Sequence, residues 1–334
     1  MLNVISPNAI DPGALALNEN PFPPLPAVRS ALIRSIDAVN RYPEFMPERL
    51  RDVIASHIGM RADRVVLGAG ATGVVMQALR AVTVPGDAIV MAAPTFDGYP
   101  IVAQLAGLTV VTVPLDDYGH HDLGALAAAA QARVVVLCRP HNPTGTLEPV
   151  PAVVRFLSRV PPDTVVLLDE AYIEFAAPEH RIDASALLAR FPNVLVVRTF
   201  SKAYGLAGLR IGYGLAAAEL AAALWAQQLP FGIAGTGILA VAASYEAEDQ
   251  LLQRVRLITA ERRYLRRQLS AMGIATTDAH ANFMYLPSRG RLWHDVFVRA
   301  GLQVRLYPDG GARITVGSRA STLAVLAAVG KSAA

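Results

Sequence analysis

The sequence predicts an α/β protein, a mainly parallel sheet covered by helices on both faces and joined to a smaller α+β module. Three observations carry the prediction. Six short β-branched runs, at 65–67, 88–92, 109–113, 134–137, 165–168 and 194–197, are separated by helix-patterned stretches. The runs are continuously apolar or β-branched instead of alternating with charged residues, which is how a strand buried on both faces reads. After Tyr245 the texture changes to one long amphipathic helix and three further strand candidates.

Taken in order, residues 1–29 are irregular. The stretch Asn18-Glu-Asn-Pro-Phe-Pro-Pro-Leu-Pro26 is too rich in proline for a helix interior. Helical patterns follow at 27–39 and 49–58, parted by Asn40-Arg-Tyr-Pro43. Between the strand candidates lie helices at 73–82, 97–105, 123–130 and 150–157. Residues 220–245 carry no formal charge and are long enough to span a bilayer, but Gln227, Gln228, Pro230, Gly232, Gly235 and Gly237 break the run. A buried helix, a loop and another helix fit better than a membrane span.

In the second part, Leu251, Val255, Ile258, Leu265, Leu269 and Met272 mark one helix face at four- and three-residue spacing, with Arg262 interrupting it. Arg254, Arg256, Arg263, Arg266 and Arg267 form the solvated face. Strands are expected at 283–286, 304–307 and 313–316. The expected division is a large domain over 30–231 and a small one made of 1–29 and 232–334.

Bulk properties exclude several classes. A chain of 334 residues with 53% hydrophobic and 17% charged side chains has a sizeable core to bury, which argues against disorder. The formal charge of +3 is nearly balanced, so the pI of 9.1 gives no case for nucleic acid. The single cysteine, Cys138, rules out an intrachain disulfide framework and suits a reducing compartment. The opening residues 1–7 have neither a basic region nor a long apolar core, so a cytoplasmic location is expected. No metal-ligand spacing is visible.

Gly68-Ala-Gly-Ala-Thr-Gly73 matches G-x-G-x-x-G after a strand and before a helix, the context of a dinucleotide fingerprint. That fingerprint also needs an acidic residue at the end of the next strand, and here the strand ends Met91-Ala-Ala-Pro94. A nicotinamide dehydrogenase is therefore disfavoured. What survives is the physical core of the motif: backbone N–H groups that approach a phosphate at a helix N-terminus.

In a parallel α/β sheet, sites form outside the carboxyl ends of the strands. The first exit carries the glycine loop and Thr72, and the second carries Phe96, placed to cover an aromatic ring. The strand at 134–137 leads to Asn142, the one at 165–168 to Asp169 and Tyr172. The one at 194–197 leads to Ser201 and Lys202. Lys202 stands among small apolar neighbours, where desolvation disfavours an ammonium and leaves an amine that can attack a carbonyl. Each residue alone has a plain alternative, since a lysine more often snorkels to water and an aspartate often just ends a strand. Together they supply a phosphate cradle, an aromatic cover, an amide, a carboxylate, a tyrosine and a lysine, the set that pyridoxal 5′-phosphate needs.

Ser201-Lys202-Ala-Tyr-Gly-Leu-Ala-Gly-Leu-Arg210-Ile-Gly, with His141-Asn-Pro-Thr-Gly145 and Asp169-Glu-Ala-Tyr172, resembles fold-type I pyridoxal-phosphate aminotransferases of the histidinol-phosphate and aromatic group. The similarity runs nearly from end to end. It implies that Lys202 forms the imine with the cofactor and shuttles the α-proton, while Asp169 pairs with the pyridine nitrogen. Asn142 and Tyr172 would hold the ring oxygen. Ser201, Arg210 and the amides at Ala71 and Thr72 would bind the phosphate, and Phe96 would stack on the ring. Arg313 would clamp the substrate carboxylate, with Asn18, Phe22 and Arg305 also on the substrate side. Tyr42 would reach the phosphate in a partner subunit, which implies a homodimer.

The resemblance also implies an exchange of amino groups between an aromatic amino acid and a 2-oxo acid such as 2-oxoglutarate, by ping-pong kinetics. Histidinol-phosphate enzymes of this look usually carry tyrosines where this chain has Phe22 and Phe96. The segments at 280–287 and 303–310 look closer to actinobacterial-type aromatic aminotransferases. Histidinol phosphate is the alternative substrate. His141, which stands where asparagine is usual, is expected to serve local packing or hydrogen bonding. A non-catalytic binding protein on this fold would need a damaged lysine or carboxylate, and both are intact. Decarboxylation on the same fold stays open.

Overall fold

The computed structural model describes residues 11–331. Residues 1–7, expected to carry no targeting signal, lie outside the described residues, as does the start of the expected small domain. Seven strands form the large sheet: β1 Val65–Ala69, β2 Ala88–Ala93, β3 Thr109–Pro114, β4 Val134–Cys138, β5 Val165–Asp169, β6 Val194–Thr199 and β7 Ile211–Ala216. Their order across the sheet is β1-β7-β6-β5-β4-β2-β3. Strands β2 to β6 pair in parallel with their neighbours among themselves, and β7 runs antiparallel to both β6 and β1. The α/β expectation is met.

All six expected strands form, each a residue or two longer at its carboxyl end. Strand β7 is the addition. Its glycines at 212 and 214 lower strand propensity, which hides it from a reading of β-branched runs. Packing explains them. A Cβ on Gly212 would sit 2.2 Å from the Ala71 nitrogen, and one on Gly214 would sit 2.8 Å from both Leu195 and Val66 side chains.

The helices among the described residues are α1 Pro26–Ser35, α2 Glu48–Ile58, α3 Gly70–Val82, α4 Gly98–Leu105, α5 Leu123–Ala128 and α6 Val150–Leu157. They continue with α7 Ala184–Arg190, α8 Ala218–Trp225, α9 Gly235–Glu246, α10 Glu248–Ala271, α11 Trp293–Arg299 and α12 Arg319–Lys331. Side chains alternate across each strand, so the sheet feeds two cores. Val66, Met91, Val136, Leu167 and Leu195 face one, with α3, α4 and α8. Leu67, Val90, Leu137, Leu168 and Val196 face the other. The charge-free run at 220–245 is the end of α8, a loop and most of α9, and among the described residues no helix is long and apolar enough to cross a membrane.

The second sheet has the order β8-β10-β9, with β8 Phe283–Leu286, β9 Arg305–Leu306 and β10 Ala312–Thr315, all antiparallel. Helix α10 corrects one expectation. Arg262 does not interrupt its buried face but completes it, because Leu251, Val255, Ile258, Arg262, Leu265 and Leu269 are all buried. The guanidinium is accommodated by donating to the Ala281 carbonyl at 2.5 Å. Arg254 also departs from a wholly solvated face: it donates to the carbonyls of Pro23 and Pro24 and lies 5.7 Å from the Phe22 ring.

The proline-rich arm then crosses between the sheets. Gln303 N–H donates to Gly13 O, Leu15 N–H to Gln303 O and Thr315 N–H to Leu15 O, at 2.8, 2.8 and 2.9 Å. These bonds carry residues 16–19 over the carboxyl ends of the large sheet.

Candidate active site

A cleft of about 460 Å³ opens between those strand ends, the arm and the small sheet. Its size is typical of small-molecule sites. At its floor lies Asp169, the last residue of β5 and 6% exposed. Ala171 N–H donates to its Oδ1 at 2.9 Å, and the buried Tyr99 hydroxyl donates to its Oδ2. Burial pushes the Asp169 carboxyl above the ordinary range, with these two hydrogen bonds opposing. Cys138 ends β4 in register with Asp169, and its thiol is pushed well up, first by burial and then by the Asp169 charge.

Lys202 enters from the loop after β6. Its ammonium donates to Leu17 O at 2.9 Å and Asn18 O at 3.3 Å, both on the arm. Burial, with Arg313 next in effect, lowers its pKa to about 8. Half of such amines are neutral at that pH, where an ordinary lysine is almost wholly protonated. The other lysine of the chain, Lys331, lies at the end of α12.

One wall is built to hold an anion. Helix α3 begins at Gly70, and Ala71 and Thr72 in its first turn line the cleft with Ser201 and Arg210. Unpaired N–H groups at a helix start attract negative charge. Gly70 has φ +74°, and a Cβ there would come within 2.4 Å of the Arg210 guanidinium, so glycine gives that side chain its seat. Arg210 itself has φ +54°, a strained backbone for a long side chain that costs on the order of 1 kcal/mol. Its Nη1 donates to Ala207 O at 3.0 Å and reaches Ser201 Oγ at 3.5 Å, and it makes no ion pair among the described residues. Of the motif's other glycines, Gly68 serves close packing: a Cβ there would meet Val74 N at 2.5 Å.

The opposite wall comes from the small sheet. Arg313, on the central strand β10, is 6% exposed. It donates to Asn142 Oδ1 and to Ala16 O, each at 2.5 Å, and its buried Nε has no partner. Asn142 Nδ2 in turn lies 3.5 Å from the Tyr172 hydroxyl, which also receives Asn18 Nδ2 at 3.0 Å. Asn18, 1% exposed and at φ +55°, is tied down by Thr315 and Asn282. Arg305, on β9, meets Asp97 across the cleft mouth at 2.7 Å.

Twelve of the fourteen residues expected from sequence line this one cleft: Asn18, Ala71, Thr72, Phe96, Asn142, Asp169, Tyr172, Ser201, Lys202, Arg210, Arg305 and Arg313. Two do not. The Phe22 ring packs partly buried against the core, beside Arg254. Tyr42 is 85% exposed, with its ring 4.9 Å from that of Phe231. His141 is fully buried, bonded to Thr144 Oγ1 at 2.9 Å and edge-on to His121, and burial keeps it well below the usual imidazole value. Its Nε2 is buried without a hydrogen-bond partner. Among the described residues no cluster of three or more His, Cys, Asp or Glu is arranged for a metal ion.

Tyr99 and Asp97 were not assigned from sequence, although both flank Phe96 at the β2 exit. Tyr99 sits three residues beyond Phe96 at the start of α4, and that spacing was the available signal.

The arrangement puts a buried carboxyl, an amine with lowered pKa, an anion cradle and an unpaired guanidinium around one space. That donor set fits a phosphorylated, ring-bearing carbonyl cofactor. Comparison with known proteins agrees. The family of class I and II aminotransferases matches residues 12–329. An aromatic amino acid aminotransferase of Cutibacterium acnes is 41% identical over 308 residues, covering 91% of this chain and 87% of that protein. One of Rhodococcus opacus is 41% identical over 322 residues, covering 95% and 89%. The crystal structure of histidinol-phosphate aminotransferase from Sinorhizobium meliloti, in complex with pyridoxal 5′-phosphate, superposes with a TM-score of 0.89 at 30% identity, over 96% of this chain and 90% of that one. With its fold, its cleft and its sequence in agreement, this chain belongs to the class I and II aminotransferase family.

Proposed function

We propose that the chain is a pyridoxal-phosphate-dependent aminotransferase that exchanges amino groups between an aromatic amino acid and a 2-oxo acid. The observation that carries the reading is Lys202, an amine of pKa about 8 held over the Asp169 floor and beside the anion cradle. When bound, the cofactor supplies an electron-withdrawing ring that stabilises negative charge on the substrate α-carbon.

The chain's own residues do the rest. Ala71, Thr72, Ser201 and Arg210 would hold the phosphate. Asp169, buried with Tyr99 as its donor, would meet a protonated ring nitrogen, whose positive charge opposes the burial that disfavours its carboxylate. Phe96 would cover the ring, and Asn142 with Tyr172 would hold its oxygen. Arg313 takes the substrate carboxylate in bidentate fashion. Lys202 Nζ, once free of the arm carbonyls, holds and moves the α-proton, and a pKa near the working pH suits that task.

The proposed division is a cofactor domain over 30–231 and a second unit made of 1–29 and 232–334; that the large sheet falls within the first range and the small sheet within the second supports it. Tyr42 and Phe45, both exposed, pack their rings against that of Phe231. A homodimer in which Tyr42 reaches the neighbouring phosphate accounts for that exposure, and a solution mass of one chain by light scattering would contradict this. A reducing, cytoplasmic setting suits the one buried thiol.

Substrate choice is tested by comparing kcat/KM for phenylpyruvate and imidazole-acetol phosphate. A missing hydroxyl partner for a buried phosphate costs about 1–3 kcal/mol, which shifts preference away from the phosphorylated ketone, and phenylpyruvate is expected to show the higher kcat/KM. A preference for the phosphorylated ketone would assign the chain to histidinol phosphate instead.

A further inference from the structure

The two arginines of the cleft differ in a way that bears on specificity. Arg313 is buried and has no acidic partner among the described residues, so it is open to one carboxylate. Arg305 is already neutralised: its Nη2 lies 2.7 Å from Asp97 Oδ2, with the side chains 48% and 47% exposed. Asp97 immediately precedes α4, where an aspartate commonly caps the helix by accepting a backbone N–H. It makes no such bond, and its carboxylate is turned across the cleft to β9 instead. Phe96, Val75, Val102 and Val304 line the same cleft and are apolar.

We propose that Asp97 is a specificity-determining residue, an internal counter-ion that occupies Arg305 whenever the substrate brings no second anionic group. An uncharged aromatic side chain then enters beside a closed pair. A substrate with a distal carboxylate or phosphate has to displace Asp97, which turns out to water. A half-exposed pair is weak and screened by salt, so the displacement is possible but carries a penalty. This ranks substrates by the charge at their far end. It rests on the aminotransferase reading for the role of Arg313, and its test does not depend on which substrate the enzyme prefers.

The test is calorimetric, on the holoenzyme, with two carboxylates that do not react. Glutarate carries a distal carboxylate and 3-phenylpropionate does not. In Asp97→Asn, glutarate is expected to bind about three- to ten-fold more tightly, while 3-phenylpropionate stays within about two-fold of wild type. Adding Arg305→Leu to Asp97→Asn should remove the gain for glutarate. If Asp97 only ties the two sheets together, both ligands shift alike or neither shifts, and either result overturns the proposal. A wild-type preference for imidazole-acetol phosphate would sink the aromatic assignment while leaving the glutarate ratio as an independent reading of Asp97.

Discussion

Lys202→Ala is expected to lower turnover by at least about three orders of magnitude, the upper range for loss of a positioned proton-transfer group combined with loss of a nucleophilic amine. The physical reason is that nothing nearby substitutes for it. The remaining lysine, Lys331, stands at the far end of α12. The cleft's other cations are guanidiniums, which do not give up a proton in proteins. The variant should also lose the visible absorption band of the holoenzyme. Its fold should persist, because the substitution removes a desolvated ammonium without breaking an ion pair. Steady-state assays with circular dichroism as control check this, and a folded variant with more than about a tenth of wild-type turnover would refute the assignment.

Glu170→Ala is expected to destabilise the protein by about 2–4 kcal/mol, because it strands the partly buried Arg198 guanidinium, whose side chain is 17% exposed. Glu170 lies directly after the Asp169 floor and its side chain is 1% exposed. Its Oε2 accepts from Arg198 Nε at 3.0 Å and Nη2 at 2.7 Å. Burial disfavours the Arg198 charge, yet Glu170, with Tyr213 and Glu174 assisting, holds its pKa above the ordinary value. The pair therefore clamps the ends of β5 and β6, the strands that lead to Asp169 and Lys202. Replacing both partners with apolar residues, Glu170→Leu with Arg198→Met, should recover most of the loss, since a buried pair and a well-packed apolar pair differ little. Urea denaturation of the three proteins decides the matter. A single variant within about 1 kcal/mol of wild type would mean that the clamp is relaxed by water.

Much of this was legible in the chain before folding. Five of the six expected strands announce themselves because burial on both faces demands unbroken apolar runs, whereas β3, at the sheet edge and exposed at five of its six residues, is read from its β-branched residues; the strand exits locate Asp169, Asn142, Phe96 and Lys202. Strand β7 was not legible, since its glycines answer to the close approach of Ala71 and Val66, contacts that local sequence does not encode. Arg262 reads as a break in a helix face because its partner, the Ala281 carbonyl, comes from another segment. The same holds inside the site. Lys202 is held by Leu17 and Asn18, 185 and 184 positions away, and those acceptors are backbone carbonyls that no motif reveals. Asp97 and Arg305 are each ordinary surface residues until the small sheet brings them together.

The central claim is that Lys202 is the residue that holds the cofactor, and the chain permits an unusually direct test because it contains two lysines only. Borohydride reduction of the holoenzyme, followed by proteolysis and mass spectrometry, fixes the cofactor on whichever lysine carries it. The cofactor mass is expected on the peptide containing Lys202. Its appearance on the Lys331 peptide, or on neither, would contradict the account.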